Sequence, residues 1–390
     1  MPFKMKRICY TLTIILAIGF IVTGCNTSSE PPQSTYKYVP PDYYKVGLRY
    51  TTDTIHLKLS DSASSKILSL NIFSQKGRNY LASLDKRASL SIYDLGTRDL
   101  IKRMVLKDMF FDHDVYHPSA YMLGFDSIFI VNRNRLYLFD TSAAKNRSIE
   151  FLANHPSSWA QFEGGNPLAV RDGKYYTSVR PIVKERDIEE VKKWKLLYQF
   201  DFSDKTSQLF YNLPDKFQSD IYGSRMLTSS FCINDKGRFV VSLAADTNIY
   251  ETDLQKYHYS HYAKSCFHEK DVFPVTKKDL LERSAYEKYL TRDSYGAIYF
   301  DPVRKRYLRV ARQALTEDDY DAFRWNRPQS LVIFDSQFRI IGESSIPFNV
   351  RLDQLLITPN GDIYARVNDE DKRNIHFVKL VYYDLASAAR

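Results

Sequence analysis

The chain has 390 residues, of which 14% are aromatic, and its formal net charge of +9 comes from 55 basic and 46 acidic residues. The basic residues are scattered among acidic ones rather than clustered, which argues against a nucleic-acid-binding surface. The 29 tyrosines and 24 phenylalanines favour β-strands, because aromatic side chains suit a pleated, half-buried surface.

The N-terminal region has the features of an export signal. Basic residues at positions 4, 6 and 7 precede an apolar stretch over 8–22, which is shorter than the roughly 20 residues of a membrane-spanning helix. The sequence Val22-Thr-Gly-Cys25 resembles the lipobox of bacterial lipoproteins, in which the cysteine becomes the lipidated N-terminus. We therefore expect a signal peptide over 1–24 and lipid attachment at Cys25. The alternative is an ordinary signal peptide that contains a cysteine.

Residues 25–50 are expected to form a flexible tether. The stretch 26–41 is rich in Ser, Thr, Pro and Gln and lacks apolar periodicity, so it cannot bury enough apolar surface to fold by itself. Cleavage after residue 24 would leave 52 basic and 46 acidic residues, a mild net charge of +6. The rest of the chain, 51–390, is long enough for two domains or for one large β architecture.

A unit of four strands recurs six times in 51–390. Each unit has two strands joined by a tight turn, a third strand that ends just before an Asp, and a fourth strand. Turns such as Asn360-Gly361 favour hairpins, because glycine adopts positive φ without steric cost. The third strands end at Tyr93-Asp94, Phe139-Asp140, Phe200-Asp201, Thr252-Asp253, Phe334-Asp335 and Tyr383-Asp384.

Repeats of about 45–60 residues with four short strands each are typical of propeller blades, since one such sheet must stack on its neighbours to bury its faces. The sequence therefore predicts an all-β fold, a six-bladed β-propeller of four-stranded blades with a few short helical insertions. The alternating segment 54–59 is expected to join the last blade and close the ring, which leaves no sheet edge unpaired. The alternative interpretation divides the same strands between two β-sandwiches.

Three segments with helical apolar spacing interrupt the strand pattern: 183–194, 277–290 and, more weakly, 317–323. The first and third lie between the second and third strands of a unit, and the middle one lies between two units. Both kinds of connection emerge on the same face of a propeller. We expect this face to be functional, because loops on a rigid scaffold commonly carry function.

The candidate ligand-binding residues lie near these insertions. Arg180 and Arg312 end second strands just before an insertion, and both would suit an anionic or carbohydrate ligand. Trp159 and Trp325 are candidate stacking surfaces for the same ligand. The alternative for each residue is a structural role, with the arginines paired at a blade edge and the tryptophans packed against a loop.

Two groups of histidines lie in connections between units, and we expect no metal at either. The first consists of His113 and His117, which we take as further candidate ligand-binding residues. The second consists of His258, His261 and His268, with Cys266 nearby. Neither group matches a known zinc-ligand spacing.

Two cysteines, Cys232 and Cys266, would remain in the mature chain besides Cys25. A compartment outside the cytoplasm is oxidising and would allow them to form a disulfide. Two separate free thiols are the alternative.

Known catalytic motifs are absent from the sequence: it has no Gly-x-Ser-x-Gly elbow, phosphate-binding glycine loop or His-Glu-x-x-His helix. We expect no cofactor. A propeller enzyme can nevertheless draw single residues from different blades to its central channel, and such a site leaves no local motif.

The chain resembles one known family. Its lipobox-like sequence, tether and six units are similar to the lipoproteins grouped as domain of unknown function 4221, which abound in Bacteroides-type gut anaerobes. The segments that carry the resemblance are Gly296-Ala-Ile-Tyr-Phe-Asp-Pro302, Tyr307-Leu-Arg-Val310, Ser330-Leu-Val-Ile-Phe-Asp335 and Phe338-Arg-Ile-Ile-Gly342. The resemblance covers nearly all of the mature chain and implies a TolB-like six-bladed propeller. It implies no catalytic residue, because the family has no assigned activity.

Together these features predict a lipid-anchored binding or scaffold propeller of the cell envelope, at the outer membrane on the periplasmic side or the exterior. Its expected partners are the membrane, through the lipid, and an unknown protein, peptide or glycan. The alternative is an enzyme of the lactonase, lyase or glycan-processing kind. A pocket of polar side chains with perturbed pKa values would favour the enzyme, and a flat aromatic face would favour the binding protein.

Overall fold

The computed structural model describes residues 35–109, 118–132, 135–142, 145–150, 158–181, 187–255, 258–282, 285–368 and 371–385. The signal region with Cys25 lies outside these residues, as do His113 and His117. Within the described ranges, no helix is both long and apolar enough to cross a membrane.

The described strands form six sheets arranged as the blades of a propeller, which confirms the predicted fold. Two N-terminal strands, β1 (Thr35–Lys37) and β2 (Val46–Lys58), precede the blades. Blade 1 contains β3 (Ile67–Gln75), β4 (Arg78–Asp85), β5 (Ser89–Asp94) and β6 (Leu100–Val105). Blade 2 contains β7 (Ser119–Gly124), β8 (Ser127–Asn132), β9 (Arg135–Phe139) and β10 (Lys145–Glu150). Blade 3 contains β11 (Ser158–Ala160), β12 (Ala169–Arg171), β13 (Lys174–Pro181), β14 (Lys195–Asp201) and β15 (Thr206–Asn212), with β11 and β12 both paired to β13.

The remaining three blades follow in the same antiparallel order. Blade 4 contains β16 (Ser229–Ile233), β17 (Phe239–Leu243), β18 (Asn248–Thr252) and β19 (His258–Tyr262). Blade 5 contains β20 (Ser294–Asp301), β21 (Arg306–Arg312), β22 (Gln329–Phe334) and β23 (Ile340–Ile346). Blade 6 contains β24 (Val350–Ile357), β25 (Ile363–Val367) and β26 (Asn374–Asp384), and its fourth strand is β2.

The recurring Asp after the third strand caps the turn that follows it. In blade 1, the Oδ1 atom of Asp94 accepts hydrogen bonds from Gly96 N at 2.8 Å and Thr97 N at 3.1 Å. In blade 5, Asp335 accepts in the same way from Gln337 N at 2.9 Å. An Asp that bonds to the backbone two residues on stabilises a turn of this kind, so the repeated dipeptide marks the reversal between the third and fourth strands in blades 1 to 5.

Apolar side chains fill each junction between neighbouring blades. Six hydrophobic clusters lie in the six junctions, and each combines residues from two adjacent sheets. In the cluster between blades 6 and 1, for example, Leu57 and Phe377 pack with Leu81 and Tyr93. This arrangement excludes the two-sandwich alternative, in which the strands would share two separate cores.

Strand β2 closes the ring, as the sequence predicts. It pairs antiparallel with β26, with Ile55 opposite Phe377 and Leu57 opposite Ile375. The pairing is longer than the expected segment 54–59, because it begins at Val46. The first and last parts of the chain thus share one blade.

The ordered N-terminal boundary differs from the predicted tether of residues 25–50. Strand β1 pairs in parallel with β19 of blade 4, and the amide of Asp42 donates to the Ile340 carbonyl of blade 5 at 3.0 Å. Thr35 of β1 pairs with Tyr259, and Asp42 bonds to Ile340, so each partner is more than 200 positions away in the sequence. No local pattern in 35–50 could reveal these contacts.

Short helices occupy the predicted insertions. The described helices are α1 (Leu106–Met109), α2 (Ile188–Lys192), α3 (Lys216–Ser219), α4 (Asp279–Glu282), α5 (Ala285–Leu290) and α6 (Glu317–Asp321). Helix α2 lies between the second and third strands of blade 3, α6 lies between those of blade 5, and α5 connects blades 4 and 5. We call the face that carries these connections the insertion face.

The two cysteines do not form a disulfide, and both thiols are free. Cys232 is buried in the cluster between blades 4 and 5, where burial raises the pKa of its thiol. Cys266 is exposed in the connection that follows β19, and its pKa is raised to about 12 by partial burial and the nearby Glu343 carboxylate. Cys232 therefore serves as a packing residue of the blade junction.

Ring closure generates a stability prediction. Leu57→Ala removes a completely buried side chain from the β2–β26 blade, so we expect the free energy of unfolding to fall by about 2–5 kcal/mol. Urea denaturation measures the change. Lys58→Ala is the matched control, because the Lys58 side chain is exposed on the same strand and its loss should change stability by about 0.5 kcal/mol or less. Equal unfolding free energies for the two variants would contradict the packing of β2.

Candidate functional site

A tight turn over residues 163–166 lies at the mouth of the central channel. Below it, a cavity of about 430 Å³ is lined by residues from the first strands of all six blades. Above it, on the insertion face, lies a second cavity of about 320 Å³. Glu163 lines both cavities. The turn therefore divides the channel from the pocket on the insertion face.

Two glycines allow this turn to approach three blades. A Cβ on Gly165 would lie 2.6 Å from Ser230 Oγ and 2.9 Å from Ala297 Cα, which is closer than real atoms come. The Gly165 carbonyl accepts hydrogen bonds from Ser230 Oγ at 2.5 Å and from Phe231 N at 3.1 Å. A Cβ on Gly164 would overlap the Asp353 carbonyl of blade 6. Only glycine fits at these close approaches.

The pocket on the insertion face, called the insertion pocket below, is lined mainly by polar side chains. Strand ends from blades 3 to 6 converge there, because first strands begin and second strands end on this face. Its lining side chains include Gln161, Glu163, Asn166, Ser178, Arg225, Ser229, Ser230, Tyr289, Tyr295, Arg312 and Asp353.

Arg312 is the last residue of β21 and projects into the insertion pocket. Its guanidinium occupies the space beside Gly296, where an added Cβ would lie 2.6 Å from Arg312 Nη1. Arg312 is half-buried, and it forms no ion pair with any residue that the structure describes. A partly buried guanidinium without a carboxylate partner retains its hydrogen-bonding capacity for a ligand.

Asp353 faces Arg312 but is held by a different arginine. Arg351 binds it in a bidentate manner, with Nε–Oδ1 at 3.0 Å and Nη2–Oδ2 at 2.7 Å. Burial acts to raise the pKa of Asp353, but the Arg351 hydrogen bonds and the charges of Arg351 and Arg312 outweigh it and lower this pKa. The carboxylate is therefore ionised at neutral pH and largely neutralised by Arg351.

Arg225 adds a second positive charge to the insertion pocket. Its guanidinium carbon lies 4.7 Å from the centre of the Tyr286 ring, a cation–π contact. Like Arg312, it makes no ion pair with a carboxylate in the part of the chain that the structure describes. One wall of the pocket is thus electropositive.

Tyr289 has an unusual electrostatic environment. Burial acts to raise the pKa of its hydroxyl, but the positive charges of Arg312 and Arg327 outweigh burial and lower this pKa. Arg327 is itself fixed, because its guanidinium donates to the carbonyls of Gln313 at 2.7 Å and Arg292 at 2.6 Å. Tyr289 therefore lies between one arginine that is fixed to the backbone and one that faces the pocket.

The structure brings two of the sequence-predicted residues to this region. Arg312 lines the insertion pocket, and the exposed Trp325 lies in the loop after α6. Arg180 and Trp159 are opposite each other in the pairing of β13 with β11. Ser178 and Val179, which directly precede Arg180, line the pocket.

Sequence analysis did not identify Arg225, Tyr289 or the 163–166 turn. Arg225 and Tyr289 lie in long connections without strand periodicity, so only the folded chain shows that they meet Arg312. The Gly164-Gly165 pair was a usable signal, because adjacent glycines ahead of a strand indicate a close backbone approach.

The histidines of the second group each make separate contacts within the fold. His258 is buried with its Nδ1 atom 2.9 Å from Thr252 Oγ1, and the His261 ring stacks on Phe338 at 4.2 Å. His268 packs against Tyr295 at 4.8 Å, and burial lowers its pKa to about 4. Among the described residues, no three or more histidine, cysteine or acidic side chains are grouped to hold a metal ion.

The glycine turn supports a prediction about the pocket. Gly165→Ala should force the 163–166 turn away from blades 4 and 5, because the new methyl group overlaps backbone atoms of Ala297. We expect a lower melting temperature and a reshaped pocket, measured by calorimetry and by a crystal structure of the variant. An unchanged melting temperature with the turn in the same position would show that this close approach is wrong.

A family model described as "Domain of unknown function (DUF4221)" matches residues 46–345. No curated protein matches the chain. Among solved structures, the chain is similar to a member of the DUF4221 family from Bacteroides vulgatus, with 16% identity and a TM-score of 0.73, covering 88% of this chain and 100% of that one.

Two further solved structures show weaker similarity. A luciferin-regenerating enzyme has 10% identity and a TM-score of 0.45, covering 84% of this chain and 95% of that one. A streptogramin B lyase has 9% identity and a TM-score of 0.41, covering 87% of this chain and 98% of that one. The resemblance inferred from the strand segments is confirmed by the family match over 46–345, and the chain belongs to the DUF4221 family.

Proposed function

We propose that this protein is a lipid-anchored binding protein of the cell envelope, and that its insertion pocket binds a small ligand that carries a carboxylate. The observation that carries the proposal is Arg312, a half-buried arginine at the pocket wall with no ion pair to a described residue. A carboxylate matches the planar fork of a guanidinium, and the charge-assisted hydrogen bonds between them are among the strongest in proteins.

The rest of the insertion pocket supports a ligand with several hydroxyl groups. Besides its arginines, the pocket presents the amides of Gln161 and Asn166 and the hydroxyls of Ser178 and Ser229. These groups both donate and accept hydrogen bonds. Its volume of about 320 Å³ is at the lower end of the usual range for small-molecule sites, about 300–1,000 Å³. A sugar acid or a hydroxy acid has the matching size and polarity.

Lipid anchoring is the second part of the proposal, and it rests on the sequence. The basic start, the apolar stretch over 8–22 and Val22-Thr-Gly-Cys25 support it. A lipid on Cys25 would keep the propeller at a membrane surface, with its pocket available to ligands outside the cytoplasm.

Tyr289 favours a second candidate function, an enzyme that acts in the same pocket. A tyrosine whose pKa is lowered beside positive charges is a candidate general base, because its hydroxyl ionises more readily than usual. Incubating the protein with its ligand and recovering the ligand for mass analysis separates the two functions. An unchanged ligand supports binding alone. A changed ligand, with Tyr289→Phe retaining binding but losing the change, supports the enzyme.

The carboxylate site is tested by thermal-shift and calorimetric titration of the chain lacking residues 1–25. The probes are D-galacturonate, D-glucuronate and small hydroxy acids, each paired with its neutral counterpart such as D-galactose. Arg312→Gln should weaken binding of the acid by roughly 10- to 100-fold, because it removes charge-assisted hydrogen bonds of about 1.5–3 kcal/mol.

Arg339→Gln is the matched control for Arg312→Gln. Arg339 is an exposed arginine that pairs with Asp335 at 2.6 Å, in the turn between the third and fourth strands of blade 5 on the face opposite the pocket. It should leave affinity unchanged. Equal binding of acids and their neutral counterparts, equal affinity of wild type and Arg312→Gln, or no binding by any acid would each contradict the carboxylate site.

The anchor is tested by Cys25→Ala in the full chain, which should move the protein from the membrane fraction to the soluble fraction, as fractionation and immunoblotting report. Cys9→Ala is the matched control, since Cys9 lies inside the apolar stretch and should leave the protein in the membrane fraction. If Cys25→Ala stays with the membrane, lipidation at this cysteine is wrong.

A further inference from the structure

A cluster of exposed and half-buried aromatic side chains lies on the insertion face beside the insertion pocket. It consists of Tyr286 from α5 and of Tyr320, Phe323 and Trp325 from α6 and the loop that follows; we call it the aromatic platform. Phe323 is 77% exposed, Trp325 42% and Tyr286 38%. Around Trp325, ring centres lie at 6.0 Å for Tyr286, 6.0 Å for Tyr320 and 5.5 Å for Phe323. Large aromatic rings grouped on a surface indicate a binding site.

The loop that carries the aromatic platform is held in a defined conformation. Thr316 caps α6 by accepting a hydrogen bond from Asp319 N at 3.0 Å, and Trp325 Nε1 donates to the Tyr320 carbonyl at 3.1 Å. Phe323 has φ of +57°, a left-handed conformation that bulky residues rarely adopt. Backbone strain of this kind persists only where the surrounding bonds impose it, and it commonly accompanies function.

The aromatic platform is continuous with the insertion pocket. Tyr286 and Tyr289 are three residues apart on α5 and therefore lie on one side of the helix. Tyr289 lines the pocket, and Tyr286 contacts Trp325. Arg225 also lines the pocket while its guanidinium covers the Tyr286 ring at 4.7 Å. A ligand that fills the pocket and extends past Arg225 would reach these rings directly.

We propose that the aromatic platform is a second subsite that stacks sugar rings, so that the ligand is an acidic oligosaccharide with its uronic-acid unit in the insertion pocket. This inference rests on the proposed carboxylate site at Arg312. A pyranose ring presents C–H groups on its face, and these pack on an aromatic ring while the hydroxyls at the rim remain free to form hydrogen bonds.

The charges near the aromatic platform fit a glycan better than a membrane or an acidic peptide. The first turn of α6 carries Glu317, Asp318 and Asp319. Carboxylates accept hydrogen bonds from sugar hydroxyls, whereas they repel anionic lipids and acidic side chains. In the platform loop, Arg324 pairs with Asp319 at 2.7 Å, whereas Arg312 and Arg225 line the pocket wall without an ion pair to a described residue. The surface therefore combines one anion subsite with a neutral stacking subsite.

The length dependence of binding tests this inference. The probes are D-glucuronic acid (the monomer) and the oligosaccharides in which it is linked to one or two neutral xylose units (the dimer and the trimer), titrated calorimetrically into the chain lacking residues 1–25. The trimer should bind wild-type protein about three- to tenfold more tightly than the monomer, the gain that one aromatic stacking contact provides. Trp325→Ala and Phe323→Ala should abolish this gain and leave monomer affinity unchanged.

The control for these variants is Tyr44→Ala. Tyr44 is 78% exposed and bridges to Gly342 on the outer strand of blade 5, away from the insertion pocket. It should preserve both the monomer affinity and the gain with length. Circular dichroism and melting temperature establish that each variant is folded.

Each other outcome overturns a defined part of the argument. Equal affinity of monomer and trimer, with monomer binding still dependent on Arg312, would overturn the aromatic platform and leave the carboxylate site standing. Monomer binding that is insensitive to Arg312→Gln would overturn the proposed function itself. Trp325-dependent binding of an aromatic hexapeptide, with no gain from the sugar trimer, would assign the aromatic platform to a peptide instead.

Discussion

The structure depends on one constraint: a four-stranded blade has two apolar faces, and each face must pack on a neighbouring blade. Six hydrophobic clusters meet this requirement, one at each junction. At the junction between blades 6 and 1, the pairing of β2 with β26 adds Leu57 to the residues that pack with Leu81 and Tyr93. Ring closure therefore stabilises every blade indirectly, since an open ring would expose two apolar faces to water. The same closure fixes the strand ends that form the insertion pocket.

Buried arginines connect this scaffold to the insertion face. Arg309 is completely buried at the junction of blades 4 and 5. Arg292 fixes the connection that leads into blade 5, and Arg327 fixes the one between the second and third strands of this blade. Burial lowers the pKa of each guanidinium to about 10, so each stays charged at pH 7. Their charges are dispersed over backbone carbonyls, which satisfies polar groups that irregular segments would otherwise leave unpaired. Arg309, for example, donates to the carbonyls of Leu243, Asp246, Thr247 and Ala263.

The sequence was sufficient for the fold because its signals are local. An Asp such as Asp94 or Asp335 caps a turn with amides only a few residues away, so the reversals between the third and fourth strands of blades 1 to 5 are visible in the sequence itself. The attachment of β1 to β19 and the convergence of Arg225, Tyr289 and Arg312 depend on residues that are distant in the chain. Arg312 was identifiable because the end of a second strand has a fixed place in a blade. Cys232 and Cys266 could not be assigned from spacing, since only the fold shows that one is a packing residue of the core.

The 163–166 turn determines how a ligand approaches the protein. Most propellers leave a central channel, but here Gly164 and Gly165 bring backbone against blades 4, 5 and 6 at its mouth. The cavity beneath is lined mainly by apolar and aromatic residues such as Ile72, Tyr121 and Ile357, whereas Arg225, Arg312 and Asp353 lie above the turn and Glu163 lines both cavities. The proposed polar ligand would therefore enter from the insertion face and stop at the turn. A longer ligand would then extend sideways, across Arg225, to the surface where Tyr286 and Trp325 are exposed.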